Sequence, residues 1–151
     1  FIDDLSGLYN RKYMNHYLDK LQNDKPKHVY GFLMDINDFK TINDIYGHLK
    51  GDQAIIQFGK ILQHSIDKDS VAIRMGGDEF VIFAILKSNE EALALKKRIE
   101  QNVRQFNTNS TEPFHLSFSI GMAKYSGNIE TFLSSMDDSM YEAKNMHRLM
   151  Q

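Results

Sequence analysis

Cysteine and tryptophan are absent from the 151 residues, and proline occurs only at Pro26 and Pro113. The lack of cysteine excludes disulfide scaffolds, thiolate metal sites and cysteine nucleophiles, and fits a reducing compartment such as the cytoplasm. With so little proline and no low-complexity stretch, nothing reads as an interdomain linker, so one domain over residues 1–151 is expected. The longest apolar run, Phe80 to Leu86, is far short of the roughly 18 residues that span a bilayer. A soluble piece without membrane contact is expected. Positive charge is not in excess either: 18 Lys+Arg stand against 20 Asp+Glu, a net charge of −2. No basic field is available to hold a nucleic acid by counterion release. An initiating Met and a signal peptide are also lacking, which reads as one module of a longer protein.

What is present is a run of well-patterned elements. Met14, Tyr17, Leu18 and Leu21 share one helical face, predicting a helix from Asn10 to about Leu21 with a polar break at Gln22 to Lys27. His28 to Met34 is short, apolar and β-rich and reads as a buried strand that ends at Asp35. Ala54, Ile55, Phe58, Ile61 and Leu62 predict a helix from Asp52 to about Ile66. Val71 to Met75 and Glu79 to Leu86, joined through Gly76-Gly77, read as a β-hairpin. Adjacent glycines supply the positive φ that tight turns need. Both arms are apolar on both faces and are expected at the centre of the sheet. Glu90 to Phe106 reads as a helix, Phe114 to Met122 as a strand, and Ile129 onward as a last helix carrying Lys144 and Arg148 one turn apart. The order α, β, α, α, β-hairpin, α, β, α argues for an α+β fold, a mostly antiparallel central sheet covered by helices.

Chemistry concentrates in carboxylates placed at strand ends: Asp35 and Asp38 after the first strand, Asp78 and Glu79 at the hairpin turn. Converging carboxylates repel unless a cation lies between them, and hard oxygen ligands suit Mg²⁺ or Mn²⁺, which share their shell with substrate phosphates. Taken singly, Asp35 or Asp78 reads equally well as a solvated turn residue. Gly76-Gly77, however, clears side chains from beside Asp78 and Glu79, leaving room for a phosphate. Asp52 reads as a helix N-cap or as an acceptor for the N–H groups of a base. Lys144 and Arg148, taken alone, read as an ordinary solvated helix face.

The string Arg74-Met75-Gly76-Gly77-Asp78-Glu79-Phe80 resembles the signature of the GGDEF domain, the catalytic domain of diguanylate cyclases. Four more blocks agree in order: Asp3 to Arg11, Met34 to Asp52, Ser119-Ile120-Gly121, and Asp138 to Arg148. The resemblance implies a fold like the palm of nucleotidyl cyclases and polymerases. It also implies condensation of two GTP into cyclic di-GMP and two pyrophosphates, with two Mg²⁺ or Mn²⁺ per active site. By position, Asp35, the Ile36 carbonyl, Asp78 and Glu79 correspond to the metal ligands, with Asp78 and Glu79 catalytic. Asn43 and Asp52 correspond to the guanine readers, Phe39 and Lys40 to the phosphate loop, Lys144 and Arg148 to the phosphate pair, and His48 falls near the nucleotide. Each protomer holds one GTP, so activity is expected only in a homodimer, under an N-terminal sensory or dimerising domain of a full-length protein that is free or membrane-anchored.

The sequence also departs from the family pattern. The inhibitory R-x-x-D motif of many members is replaced by Asp67-Lys68-Asp69-Ser70, so product feedback through it is not expected. His147-Arg148-Leu149 stands where Gly-Arg-Asn is usual, and Asn37 replaces a frequent Asp, with little effect expected. A catalytically silent GTP-binding or protein-interaction module is the alternative, against which the intact metal and guanine positions argue. Asp52 argues against a cyclase that makes an adenine-containing dinucleotide.

Overall fold

The computed structural model describes residues 1–151. The elements are α1 (Arg11–Asp24), β1 (Val29–Ile36), α2 (Phe39–Tyr46), α3 (His48–Ser65), β2 (Val71–Gly76), β3 (Glu79–Ile85), α4 (Asn89–Asn109), β4 (Phe118–Lys124) and α5 (Ile129–Leu149). Four antiparallel strands form one sheet in the order β2-β3-β1-β4.

Successive side chains of a strand point to opposite faces, so β1 is sorted by parity. Tyr30, Phe32, Met34 and Ile36 enter a core completed by α2, α3, α4 and the Phe114–Leu116 segment. Val29 and Leu33 enter a smaller core under α1 and α5, built with Phe83, Phe132, Met136 and Met140. Asp35 has the parity of Leu33 and is buried on the α5 side.

Two glycines fix how closely α5 lies on that face. A Cβ at Gly121 would fall inside the backbone of Met140 and 2.7 Å from the Met136 carbonyl oxygen, and one at Gly31 would collide with Met136 and Phe132. Leu33 pairs with Gly121 and Asp35 with Ser119 across β1 and β4. Four helical residues rise about 6 Å and two strand residues about 6.6 Å, so α5 and β1 keep step over a short distance. Met136 lies at the level of Gly31 and Met140 at that of Leu33, which brings Lys144 to Asp35.

Several expected boundaries move. β1 runs on to Ile36, so Asp35 is the penultimate residue of the strand and not the residue after it. α3 begins at His48 behind Gly47 (φ 89°), which places Asp52 inside the helix and excludes its N-cap role. β2 is an edge strand, contrary to the expectation that both hairpin arms are central. Its outer edge is covered: the Tyr9 N–H donates to the Ala72 carbonyl (3.3 Å) and the Arg74 N–H to the Tyr9 carbonyl (2.9 Å), which is why an edge strand is so apolar. The last strand starts four residues later than expected. The Asn107 carboxamide grips the Leu116 backbone at both N–H (2.8 Å) and C=O (2.7 Å), holding Phe114 and Leu116 as plugs of the larger core outside the ladder. Gly76 (φ 145°) and Gly77 (φ 53°) have the positive φ the hairpin requires. No helix is long and apolar enough to cross a membrane.

Candidate active site

The sheet delivers its acids at one end. The register puts Glu79 of β3 directly across from Asp35, and the Ile36 N–H donates to the Asp78 carbonyl at 3.2 Å, tying the hairpin turn to the end of β1. The turn is braced from behind: Arg74 donates from Nε to the Gly77 carbonyl (2.9 Å) and from its terminal nitrogen to Asp3 Oδ1 (3.0 Å). Burial alone would raise the Asp3 carboxyl. Hydrogen bonds from the Ser6 hydroxyl and N–H, with the Arg74 charge, outweigh it and hold Asp3 below its ordinary value.

Asp35 is the most constrained of the acids. Its carboxylate is almost inaccessible, Oδ2 is engaged by the Lys144 ammonium, and Oδ1 is buried with no hydrogen-bond partner. Burial pushes its pKa up; Lys144, and more weakly Arg148, pull the other way, while the nearby Asp78 charge adds to the rise. A buried acceptor without a donor is costly and marks a place where a ligand belongs. With the Asp78 carboxylate beside it, that pair of oxygen ligands suits a hard divalent cation.

In front of Asp35 and Asp78 lies a cavity of about 300 Å³. Ile36 and Asn37 form its β1 side, and the start of α2, Asp38-Phe39-Lys40, forms its floor. Lys144, His147 and Arg148 on one stripe of α5, with Gln151 just beyond the helix end, close it from above. Asp38, held at φ 56°, gives no side-chain cap to α2. The first amides of a helix have no intrahelical acceptor, so this floor presents donors to an anion. The cavity thus joins a cation-seeking end to an anion-seeking end.

Eight residues singled out from the sequence line this cavity: Asp35, Ile36, Asp38, Phe39, Lys40, Asp78, Lys144 and Arg148. Glu79 is exposed and outside the lining, and no group of three or more Asp, Glu or His side chains is preassembled for a metal. Asn43, His48 and Asp52 form a separate group at the α2–α3 corner. There the Asn43 carboxamide rests on Gly51, at a spot where any Cβ would displace it. Asp52 follows, half-buried, in a cleft with Leu5, Leu49, Lys50, Gln53, Ile56 and Glu112, while His48 is exposed at the first turn of α3. One turn of α2 separates Phe39 and Lys40 from Asn43, so the two groups border one another.

Sequence reasoning missed the rim of the cavity. Gln151 donates to Asp38 Oδ2 at 2.9 Å and His147 Nε2 lies 3.4 Å from the same oxygen, so Asp38 belongs to the rim and not to the acidic pair with Asp35. For His147 the signal was available in the spacing 144, 147, 148 on one helical face; Gln151, past the end of α5, gave none. Asn37 is held by β4, donating to Ser117 Oγ (2.9 Å) and accepting from Ser119 Oγ (2.7 Å). The Asp67–Ser70 turn is closed on itself: Asp67 Oδ1 accepts from the Asp69 N–H (3.0 Å) and the Ser70 hydroxyl (3.1 Å).

The profile of the family described as diguanylate cyclase, GGDEF domain, matches residues 1–149. Diguanylate cyclase DgcM of Escherichia coli K12 is 32% identical over 148 residues, covering 95% of this chain and 36% of that protein. Response regulator PleD of Caulobacter vibrioides is 32% identical over 151 residues, covering 94% of this chain and 33% of that protein. The chain therefore spans about a third of the length of these curated relatives. Among solved structures, the GGDEF domain of PA1120 (TpbB or YfiN) from Pseudomonas aeruginosa superposes with a TM-score of 0.84 at 26% identity, covering 97% of this chain and 90% of that one. The GGDEF domain of DgcB from Caulobacter crescentus, solved in complex with c-di-GMP, shares the fold with a TM-score of 0.84 at 23% identity, covering 97% and 88%. On its sequence blocks, its antiparallel palm-like sheet and these matches, the chain belongs to the GGDEF domain family.

Proposed function

We propose that this chain is a diguanylate cyclase domain that condenses two molecules of GTP into cyclic di-GMP. The observation that carries the reading is the pairing of the orphaned Asp35 oxygen, beside Asp78, with a cavity whose other walls are Lys144, Arg148 and the uncapped start of α2. Such a site suits a triphosphate that arrives with divalent metal.

Asp35, the Ile36 carbonyl, Asp78 and Glu79 are the groups that would hold two Mg²⁺ or Mn²⁺ ions. When bound, the metal lowers the pKa of the attacking hydroxyl and neutralises charge on the α-phosphate and the leaving pyrophosphate. The protein's own part is positioning. Lys144, Arg148 and Lys40, with the first amides of α2, bind the β- and γ-phosphates, and Phe39, packed against the larger core, holds that loop in place. The 3′-oxygen of one GTP attacks the α-phosphorus of the other, the bond to the pyrophosphate oxygen breaks and the hydroxyl proton leaves; the same exchange in the opposite sense closes the ring. One site supplies one GTP, so two domains meet head to tail in a homodimer.

Guanine is read at the α2–α3 corner. Asp52 accepts from N1–H and the exocyclic amine and Asn43 adds its carboxamide, while adenine would leave the Asp52 carboxylate without donors. His48 borders this corner. The test is formation of cyclic di-GMP from GTP and Mg²⁺ across a wide range of protein concentration, beside Asp78→Ala. A steeper than first-order dependence on protein, lost in the variant, is expected; absence of product even under enforced dimerisation, with GTP still bound, defeats the reading.

A further inference from the structure

We propose that Lys144 and a divalent cation are alternative occupants of the Asp35 carboxylate, so that the metal enters by displacing the lysine ammonium and the displaced ammonium turns to the phosphates of the nucleotide. The proposal rests on the reading of the cavity as a metal–GTP site. A carboxylate as enclosed as that of Asp35 needs a compensating charge, and here only the Lys144 ammonium touches it. No group of three or more Asp, Glu or His side chains is preassembled for a metal anywhere in the chain, so a metal drawn to this cavity uses the Asp35 carboxylate that Lys144 already occupies. An ammonium on Oδ2 and a dication drawn to the unpartnered Oδ1 repel one another across a single enclosed carboxylate, which favours one occupant at a time.

The geometry favours the lysine as the one that moves. Asp35 is fixed in a central strand with hydrogen-bonded neighbours on both sides. The Lys144 backbone is fixed too, four residues beyond the contact of Met140 with Gly121, but its ammonium ends a flexible four-carbon stem whose side chain is about a third exposed. Swung away from Asp35, it stays within the cavity whose floor is the start of α2 and whose rim carries Arg148. The resting site is therefore set against metal by an internal cation, and the same residue that opposes metal alone favours metal and triphosphate together. Linkage makes the coupling reciprocal: bound nucleotide, by drawing Lys144 away, raises metal affinity by the same factor as bound metal raises nucleotide affinity.

The experiment is Mn²⁺ binding followed by electron paramagnetic resonance on nucleotide-free protein, for the wild type, Lys144→Met, Lys144→Arg and Asp35→Asn. Lys144→Met is expected to bind Mn²⁺ about tenfold more tightly than the wild type, within the usual range of coupling between two ligands. Lys144→Arg, which keeps a cation on the carboxylate, is expected to bind no better than the wild type, and Asp35→Asn to bind poorly. Equal or weaker Mn²⁺ binding by Lys144→Met, while the wild type binds Mn²⁺ with GTP, overturns the exchange and leaves the cyclase reading standing. Failure of the wild type to bind Mn²⁺ even with GTP overturns both. Because Lys144→Met leaves Asp35 unpaired and tests folding as well, the Lys144 ammonium is also followed by NMR in ¹⁵N-lysine-labelled wild-type protein. Saturating Mg²⁺ is expected to shift that signal, and an unmoved signal at saturation overturns the proposal.

Discussion

Ile36 and Asp35 are neighbours on one strand and both buried, yet they end in opposite circumstances. Ile36 joins a core in which every partner is apolar, closed over by α3 and α4. Asp35 caps a smaller core under α5 and turns a charge towards a cavity. The contrast shows that strand parity alone separates stability from chemistry here: one face of β1 is committed to packing, while the other packs as far as Leu33 and then carries a costly buried acid. Strain of that kind is kept at sites that use it.

The comparison can be broken most severely at Asp35. Asp35→Asn is expected to lower cyclic di-GMP formation by about 10³-fold or more, since on the proposed reading it removes a ligand of the metal that would neutralise the transition state. Its thermal midpoint is expected to stay level or rise, because the buried charge disappears and Lys144 can extend into water; calorimetry beside a product assay reads both. On the opposite face Phe58 has no exposed surface and meets Phe80 and Phe118 with ring centroids 5.0 and 5.3 Å away. Phe58→Ala is expected to cost about 3–5 kcal/mol in denaturant unfolding while leaving turnover per folded molecule nearly intact. The two variants should therefore move stability and activity in opposite proportions.

At the α2–α3 corner, Asp52→Asn is expected to reduce kcat/KM for GTP by about 10- to 100-fold, the scale of a lost charged hydrogen bond, and to narrow the preference over ATP. Weakest is the brace behind the hairpin. Asp3→Asn is expected to cost about 1 kcal/mol at neutral pH. The folded Asp3 carboxyl lies below its ordinary value of 3.8, so its contribution is complete above that value and is lost as pH falls through the folded pKa. Melting curves of the variant and the wild type should converge in acid and separate near neutrality.

The helices were legible because their apolar residues recur at helical spacing, as Ala92, Leu95, Ile99 and Val103 do on α4. The strands were less so. Phe114 and Leu116 alternate like strand residues but are held outside the ladder by Asn107, and β2 looked central because the strip that covers its edge, at Tyr9, is far away in sequence. In the site, the acids and the basic helix were visible as motifs. The contact between Lys144 and Asp35, and the one joining Gln151 to Asp38, are long-range pairings across more than 100 residues that no local pattern encodes.

The step-for-step match of α5 with β1 also sets a rule for how this chain can drift over generations. One residue inserted between Met136 and Lys144 would rotate the rest of the helix by about 100° and swing Lys144 off the carboxylate. The Ser110–Pro113 turn, ahead of the core residues Phe114 and Leu116, carries no such rung, and its length is freer to change so long as Asn107 keeps its grip on Leu116. Insertions and deletions should thus accumulate in that loop and be purged from the helical span, even where individual side chains there are exchanged freely.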